Sequence, residues 1–542
     1  MIGLRLEPER LTGTEGLASD LLDGDPRAVS LFPPAVFDPS GEPGLPDRQG
    51  GVRLDADAFH CLSSGAERLD RVLAGEGFAV TTGQQPVLFG GPLYVLYKAL
   101  SAVRFAARLE QRLGLPCLPV FWVASDDHDW REVASVGYLD RDESLRRLEI
   151  PPPSGAEDRS VGPTQLPEDI AHRARELIAA LETREEAGQW VNGLYQEYSP
   201  GRSFTEAFIG WVSRWLADLP IAFLDASHPA VREAAVPFVQ RVLADWRDVD
   251  AALREGSDSV VQRGYEPQLS YMEDAIPVFR DSGDSRFRLR GTTAGIRVDS
   301  RGSTFDLDHL MDEVESSPGM FSPSAALRPV LESWLLPVAA TVLGPGELAY
   351  WAQLGPLFSL LDVPMPGIVP RGAWRVVEPK IERLLTKTGA SPDDLRDGGT
   401  SAATELVARN RPDALEDALQ SLEKAVEAEF DAVDRALSEE MPGLRSAAGK
   451  ARSQVQSATA ALRKKADSMT RDRETTAIGQ LHRAADNLFP GGVAQERAVA
   501  SLMYLVRYGD EFLEVVRERA LGEPPASPAG VSHGVAGGTP AE

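Results

Sequence analysis

Residues 77–129 write out a strand, a loop, a helix and a second strand. The apolar run Gly77-Phe78-Ala79-Val80 leads into Thr81-Thr82-Gly83-Gln84-Gln85-Pro86-Val87-Leu88-Phe89-Gly90-Gly91-Pro92, a polar loop bearing glycines. That loop opens an amphipathic helix from about Tyr94 to Leu113. The next strand, Pro119-Val120-Phe121-Trp122-Val123-Ala124-Ser125, ends in Asp126-Asp127-His128-Asp129. This order is a βαβ unit, which commits the chain to an α/β fold with a parallel sheet. Its polar residues gather at the carboxyl ends of the strands, the edge where open α/β sheets bind ligands. Free N–H groups in the first helical turn favour an anionic group there.

A chain of 542 residues exceeds the size at which one core stops growing, so two or three domains are expected. The formal net charge of -26 makes a surface that repels phosphate backbones and anionic lipid. Nucleic acid and membrane are therefore not expected as partners, and a local basic pocket for one small anion is compatible with the same charge. No apolar run approaches the roughly 20 residues that span a bilayer, and no apolar stretch follows Met1 as in a signal peptide. A soluble, cytoplasmic protein is expected. The two cysteines, Cys61 in an amphipathic helical region and Cys117 before a buried strand, read as inert structural thiols. They make neither a disulfide framework nor a zinc site, and no metal site is expected.

The first 55 residues are rich in Pro, Gly and Asp and read as an irregular arm on the core. Residues 56–395 read as the α/β core, with insertions near 145–218 and 255–325. The first insertion opens on the Pro151-Pro152-Pro153-Ser154-Gly155 loop and continues in helices. The second carries alternating runs such as Phe287-Arg288-Leu289-Arg290, which predict a small antiparallel element. Further buried strands are predicted at Pro220–Asp225 and Pro337–Leu343. Residues 396–488 change character. Leu415, Leu419, Leu422, Val426, Phe430, Val433 and Leu437 are spaced 4, 3, 4, 4, 3, 4, which is heptad spacing with one stutter. Asp413 reads as the cap of that helix, with Glu416 three residues on. Met441-Pro442-Gly443 breaks it. A second helical run at about 450–486 carries Val455, Ala458, Leu462, Ala466 and Met469, so an antiparallel coiled-coil hairpin is expected, with a homodimer covering its exposed stripe. A C-terminal helix over 489–522 returns to the core, and 523–542 reads as a disordered tail.

Three clusters could carry chemistry. In the first loop, Gln84 and Gln85 offer amide donors and acceptors at a strand end. Gly83, Gly90 and Gly91 let the backbone approach a ligand, and Lys98 follows Tyr94 by one helical turn. The spacing is neither a P-loop nor a dinucleotide-binding loop; the plainer reading is a tight connection with glycines for packing. In the second cluster, alternation along an extended chain puts Asp126 and His128 on one side and Asp127 and Asp129 on the other. Amine or ribose binding, general-base work by His128, and a divalent metal are the functional options. Metal is the weakest, because adjacent carboxylates do not all reach one ion. A solvated, helix-capping loop is the plainer one. In the third, Gly344-Pro345-Gly346-Glu347 starts a helix on which Glu347, Tyr350 and Gln353 share a face. Pro370-Arg371 then closes the next strand with a fixed positive charge.

Those motifs resemble the BshC family. Thr82-Gly83-Gln84-Gln85-Pro86, Phe89–Tyr94 with Tyr97-Lys98, and Phe121–Asp129 carry the resemblance. So do Leu327-Arg328-Pro329, Gly344–Gln353, Met365-Pro366, Pro370-Arg371 and Gln495-Glu496-Arg497, in the same order over about 55–520. The resemblance implies a Rossmann-like core similar to class I aminoacyl-tRNA synthetases and nucleotidyltransferases, with insertions and a C-terminal coiled coil that supports dimerisation. It implies a ligase of bacillithiol biosynthesis, joining the carboxyl of L-cysteine to the amine of glucosaminyl-malate. Asp126, His128 and Lys98 are then the expected catalytic groups. Gly83, Gln84, Gln85, Gly90, Gly91, Tyr94, Asp127, Asp129, Glu347, Tyr350, Gln353 and Arg371 are the expected binding residues. ATP is a candidate activator that the sequence does not establish: neither His-x-Gly-His nor Lys-Met-Ser-Lys-Ser is present. Two other readings stay open, a dimeric scaffold that senses a nucleotide or thiol, and a nucleotidyltransferase of other specificity.

Overall fold

The computed structural model describes residues 4–11, 16–33, 53–154, 159–181, 187–281, 285–298 and 303–522. The tail expected to be disordered lies outside them. The described residues form two compact units, one of 4–376 with 494–522 and one of 377–493.

The larger unit is built on a six-stranded sheet. Its strands are β1 (Phe59–Cys61), β2 (Phe78–Gln84), β3 (Cys117–Val123), β4 (Ala222–Asp225), β5 (Val338–Leu343) and β6 (Gly367–Pro370). They lie in the order β6-β5-β2-β3-β4-β1, all parallel except the edge strand β1. Every residue of β3 is buried, as a strand covered on both faces requires. Val120, Trp122 and Leu224 pack into the core on one face, and Phe121, Val123 and Phe223 into the core on the other. The register sets Gln84 beside Val123 and Thr82 beside Val342, so β2, β3 and β5 end at a common rim.

Helix α1 (Leu93–Leu113) follows β2, one residue earlier than predicted, and ends on Gly114 in the left-handed conformation. The connection into it is tight. Phe89, Gly90 and Gly91 have φ of 53°, 84° and 71°. The Phe89 carbonyl accepts from Trp211 Nε1 at 3.1 Å, and Gly90 N–H donates to Tyr198 Oη at 3.2 Å. A Cβ on Gly90 would stand 2.3 Å from the Trp215 ring. Both tryptophans come from the helix Phe204–Trp215, which a Ser203–Glu206 capping box starts. The predicted insertion at 255–325 contains a five-stranded antiparallel sheet between Ala275 and Pro323.

Several expectations need correcting. The described part of the N-terminal arm is not irregular: Arg5–Pro8 is a strand paired with Trp374–Val377, tied further by Arg375 Nη2 to Glu9 Oε1 at 2.8 Å. Cys61 lies on the edge strand β1, not on a helix, and is half-buried, whereas burial pushes Cys117 up to about 12. After Ala494 the chain forms three helices, not one.

The smaller unit starts earlier than 396, because Ile381, Leu384 and Leu385 share a core with Leu406, Leu481 and Leu488. Its long helices run Asp413–Glu440 and Arg445–Arg473, and a third, Thr475–Leu488, follows Glu474. At about 1.5 Å per residue the first pair spans roughly 40 Å. Pro412 occupies the cap position and Asp413 makes no capping bond. The heptad stripe is divided: Leu419 is 2% exposed, while Leu422 and Val433 are 43% and 42% exposed. Charged rungs hold the pair instead. Arg463 reaches Glu423 at 2.9 Å and Glu416 at 3.1 Å, and Arg411 reaches Asp467 at 2.5 Å.

Candidate functional site

A cavity of about 360 Å³ opens at the carboxyl rim of β2, β3 and β5. The βα connection after β2 contributes Gly83, Gln84, Gln85, Tyr94 and Lys98. Asp127 and Glu132 enter from the segment after β3, and Glu347 and Tyr350 from the helix Pro345–Trp351 after β5. Arg371 stands just beyond β6.

These groups form one chain of polar contacts. Lys98, 3% exposed, pairs with Glu347 Oε2 at 2.6 Å and donates to the Gly83 carbonyl at 2.7 Å and to Gln84 Oε1 at 3.2 Å. Gln84 Nε2 donates to Tyr94 Oη and to Gln85 Oε1, both at 3.2 Å. Gln85 Nε2 donates to Asp127 Oδ2 at 3.0 Å and to Glu132 Oε2 at 3.4 Å. The amides thus link an ammonium–carboxylate pair at one end to two carboxylates at the other. Burial lowers Lys98 from its ordinary range, with Glu347 opposing the shift. Burial also raises Glu132 and both tyrosines, Tyr94 and Tyr350. Arg371 is held by Glu496 in a two-point pair at 2.7 and 2.5 Å, and its guanidinium lies 5.6 Å from the centre of the Tyr94 ring.

The expected residues divide into four groups. Gly83, Gln84, Gln85, Tyr94, Lys98, Asp127, Glu347, Tyr350 and Arg371 line the cavity together. Gly90 and Gly91 do not; they shape the loop against Trp211, Trp215 and Val87, as the plainer reading had it. Asp126 does not line it either. It is fully buried, facing Arg328 Nη2 at 3.3 Å and Arg232 Nη2 at 3.6 Å. Burial opposes its ionisation, but the two arginines outweigh that and hold its carboxyl below the usual range. Asp126 is therefore a fixed anion rather than a proton carrier. His128, Asp129 and Gln353 stand outside the cavity. Asp129 caps the helix Trp130–Val133 through Glu132 N–H at 3.1 Å. Gln353 is occupied by the Leu269 backbone at 2.9 Å on both its amide atoms. His128 lines an adjoining hollow. The alternation argument fails because the chain turns after β3, with Asp127 N–H donating to the Ala124 carbonyl at 3.4 Å.

Sequence reasoning missed Glu132, Arg328, Glu332 and Arg497 as cavity residues. Arg328 and Arg497 were visible in the motifs that carry the family resemblance. Glu332 had its own signal: it is the only acid in the apolar helix Arg328–Leu335, one turn beyond Arg328. Burial pushes its carboxyl up to about 7.

Among the described residues, no three His, Cys, Asp or Glu side chains group to hold a metal ion. The cavity's cations are largely committed to carboxylates: Lys98 to Glu347, Arg371 to Glu496 and Arg328 to Asp126. Such a donor set fits a small zwitterionic substrate better than a triphosphate.

Two family models match the chain: the N-terminal Rossmann-like domain of bacillithiol biosynthesis BshC over residues 55–372, and its C-terminal coiled-coil domain over 375–521. Among similar proteins, one from Symbiobacterium thermophilum is 32% identical over 453 residues, covering 81% of each chain. One from Salinibacter ruber is 30% identical over 462 residues, covering 82% of this chain and 80% of its own. A third, from Bacillus cytotoxicus, is 25% identical over 518 residues, covering 93% and 96%. Each is named "Putative cysteine ligase BshC".

Proposed function

The chain belongs to the BshC family, with its Rossmann-like and coiled-coil domains, and on that premise we propose that its rim cavity joins the carboxyl of L-cysteine to the amine of glucosaminyl-malate. The observation that carries the reading is the polar chain from Glu347 through Lys98, Gln84 and Gln85 to Asp127, which encloses one cavity at the sheet's carboxyl rim. An amide-forming site must hold an amine and a carboxyl side by side. Asp127 and Glu132 offer two carboxylates for an ammonium, and Arg497 offers donors for a carboxyl group.

The chemistry needs the amine neutral. Glu332 is the group suited to take its proton, since a base that titrates near the working pH is the efficient one. The amine nitrogen then attacks the carbonyl carbon of cysteine, which must reach the cavity as an activated acyl ester or acyl phosphate, and forms the C–N bond. The C–O bond to the leaving group breaks with its electron pair, and the departing oxyanion takes the second proton that the nitrogen loses, Glu332 already holding the first. Lys98, with its ammonium fixed by Glu347, holds the Gln84 amide in place. The same reading includes a cytoplasmic homodimer formed through the helical hairpin. Among the described residues no helix is long and apolar enough to cross a membrane.

Metabolite profiling of a deletion strain tests the assignment. Cells lacking the gene should accumulate glucosaminyl-malate and lack bacillithiol, and the wild-type gene should reverse both. The Asp127→Asn gene should leave the precursor accumulated. Full thiol production by that variant, with the protein folded, would remove the cavity from the reaction.

A further inference from the structure

Beside the reaction cavity lies a second hollow of about 340 Å³, and the two share Asp127, Leu269, Ala325 and Arg328 as a common wall. The second hollow carries an unusual concentration of positive charge for a chain of net charge -26: Arg286, Arg288 and Arg328 line it, with His128 at its edge. Asp127 is the only carboxylate residue among its described lining.

Arg286 is the informative member. It has no carboxylate within ion-pair distance among the described residues. Its guanidinium is positioned by neutral groups: Nε donates to Ser322 Oγ at 2.9 Å, Nη2 to the Pro323 carbonyl at 3.0 Å, and Nη1 faces His128 Nδ1 at 3.3 Å. Phe279 supports it from one side, with the ring centre 4.0 Å from Cζ. A guanidinium has five N–H groups, so these contacts leave one on each terminal nitrogen. Burial lowers Arg286 to about 10, offset only in part by Asp126 and Asp127. A buried cation with no carboxylate in direct contact is costly unless something anionic completes it.

We propose that this hollow is the subsite for a dicarboxylate substituent of the acceptor, with Arg286 and Arg328 as its carboxylate-binding residues. The inference rests on the proposed acylation of an amine in the neighbouring cavity. In glucosaminyl-malate the amine and the malyl carboxylates are separated by only a few bonds. An amine at Asp127 therefore leaves the carboxylates within reach of the arginines across the shared wall. A phosphate group offers similar oxygens, but carboxylate is the better match. No glycine lines the hollow to bring backbone N–H groups onto a phosphate, and planar guanidinium forks complement planar carboxylates.

Calorimetric titration of the full-length protein with L-malate tests this directly, without requiring turnover. Wild type should bind L-malate, and Arg286→Gln should weaken binding at least tenfold while melting within a few degrees of wild type. Arg286→Lys should not restore it, since a point charge replaces the fork. Should Arg286→Gln not fold, Arg286→Lys, which keeps the charge, carries the same comparison. Inorganic pyrophosphate is the second arm: binding of pyrophosphate with no binding of L-malate would overturn the carboxylate assignment. So would L-malate affinity that is unchanged in the folded Arg286 variant. In assays with both substrates, the variant should raise KM for the acceptor and leave KM for cysteine unchanged. Arg286-dependent L-malate binding by a protein that makes no amide would sustain the subsite and sink the ligase reading. Turnover that L-malate does not inhibit would sink the subsite alone.

Discussion

Glu332 sits one turn beyond Arg328 on a helix whose other buried residues are Pro329, Val330, Leu331 and Leu335. Its folded pKa of about 7 stands above the ordinary 4.5, chiefly through burial. The folded chain therefore keeps a proton that the unfolded chain has released between those values. The resulting stability is present in full below the unfolded value and is lost as pH rises through about 7. The shift corresponds to about 3 kcal/mol at most. Glu332→Gln should melt close to wild type near pH 5 and above it at pH 8, measured by calorimetry. The same substitution should lower kcat by about 10²-fold or more and remove the rise in rate as pH passes through 7. A variant that keeps the wild-type pH–rate profile would remove Glu332 as the base. Lys98 makes a contrasting prediction. Lys98→Met strands Glu347 and the Gly83 carbonyl without their cation, and should cost on the order of 3 kcal/mol in urea unfolding. Lys98→Met with Glu347→Leu should recover part of that loss, because the uncompensated charge is gone.

At the scale of single elements, the turn into α1 separates two uses of glycine that look alike in sequence. Gly90→Ala places a methyl group 2.3 Å from Trp215 at a φ of 84°, so strain and overpacking combine to about 3 kcal/mol. Thermal melting should fall by many degrees, with a shift in tryptophan emission. Gly83→Ala meets the Trp122 carbonyl at 3.3 Å and lines the cavity, so turnover should fall further than stability. The strand–loop–helix–strand order of this region was legible because apolar period and turn residues are local properties. Which glycine faces a ligand was not, since that depends on tryptophans more than 100 residues away. The Asp126–Asp129 tetrad shows the same limit. Its ionisable density marked the right rim, but one turn exchanged Asp126 for Asp127, and Arg232 and Arg328 arrived from distant elements. The hairpin carried a further legible signal in its charge. Helix Asp413–Glu440 holds ten acids and two bases, and Arg445–Arg473 holds eight bases and two acids. That complementarity, more than the heptad spacing, matches the rungs that join them.

For the whole molecule, the open question the hairpin poses is what covers its apolar positions. Ion pairs between Arg463 and Glu423 and between Arg452 and Asp431 join the two helices without using Leu422, Val433, Val455 or Leu462. Those four stay 43%, 42%, 38% and 52% exposed. Two helices joined by exposed charges gain little per pair, whereas covering a large apolar side chain contributes about 1.5–3 kcal/mol. In a homodimer formed on this face, the symmetry makes each leucine contact occur twice, once in each protomer. Leu422→Glu with Leu462→Glu should then convert the dimer to a monomer in sedimentation velocity, with far-ultraviolet circular dichroism unchanged, because the charged rungs remain. The double variant should also keep its binding of L-malate, since the residues of both hollows belong to the other compact unit of the same chain. A wild-type protein that sediments as a monomer at micromolar concentration would end the dimer reading and leave the chemistry of the rim cavity untouched.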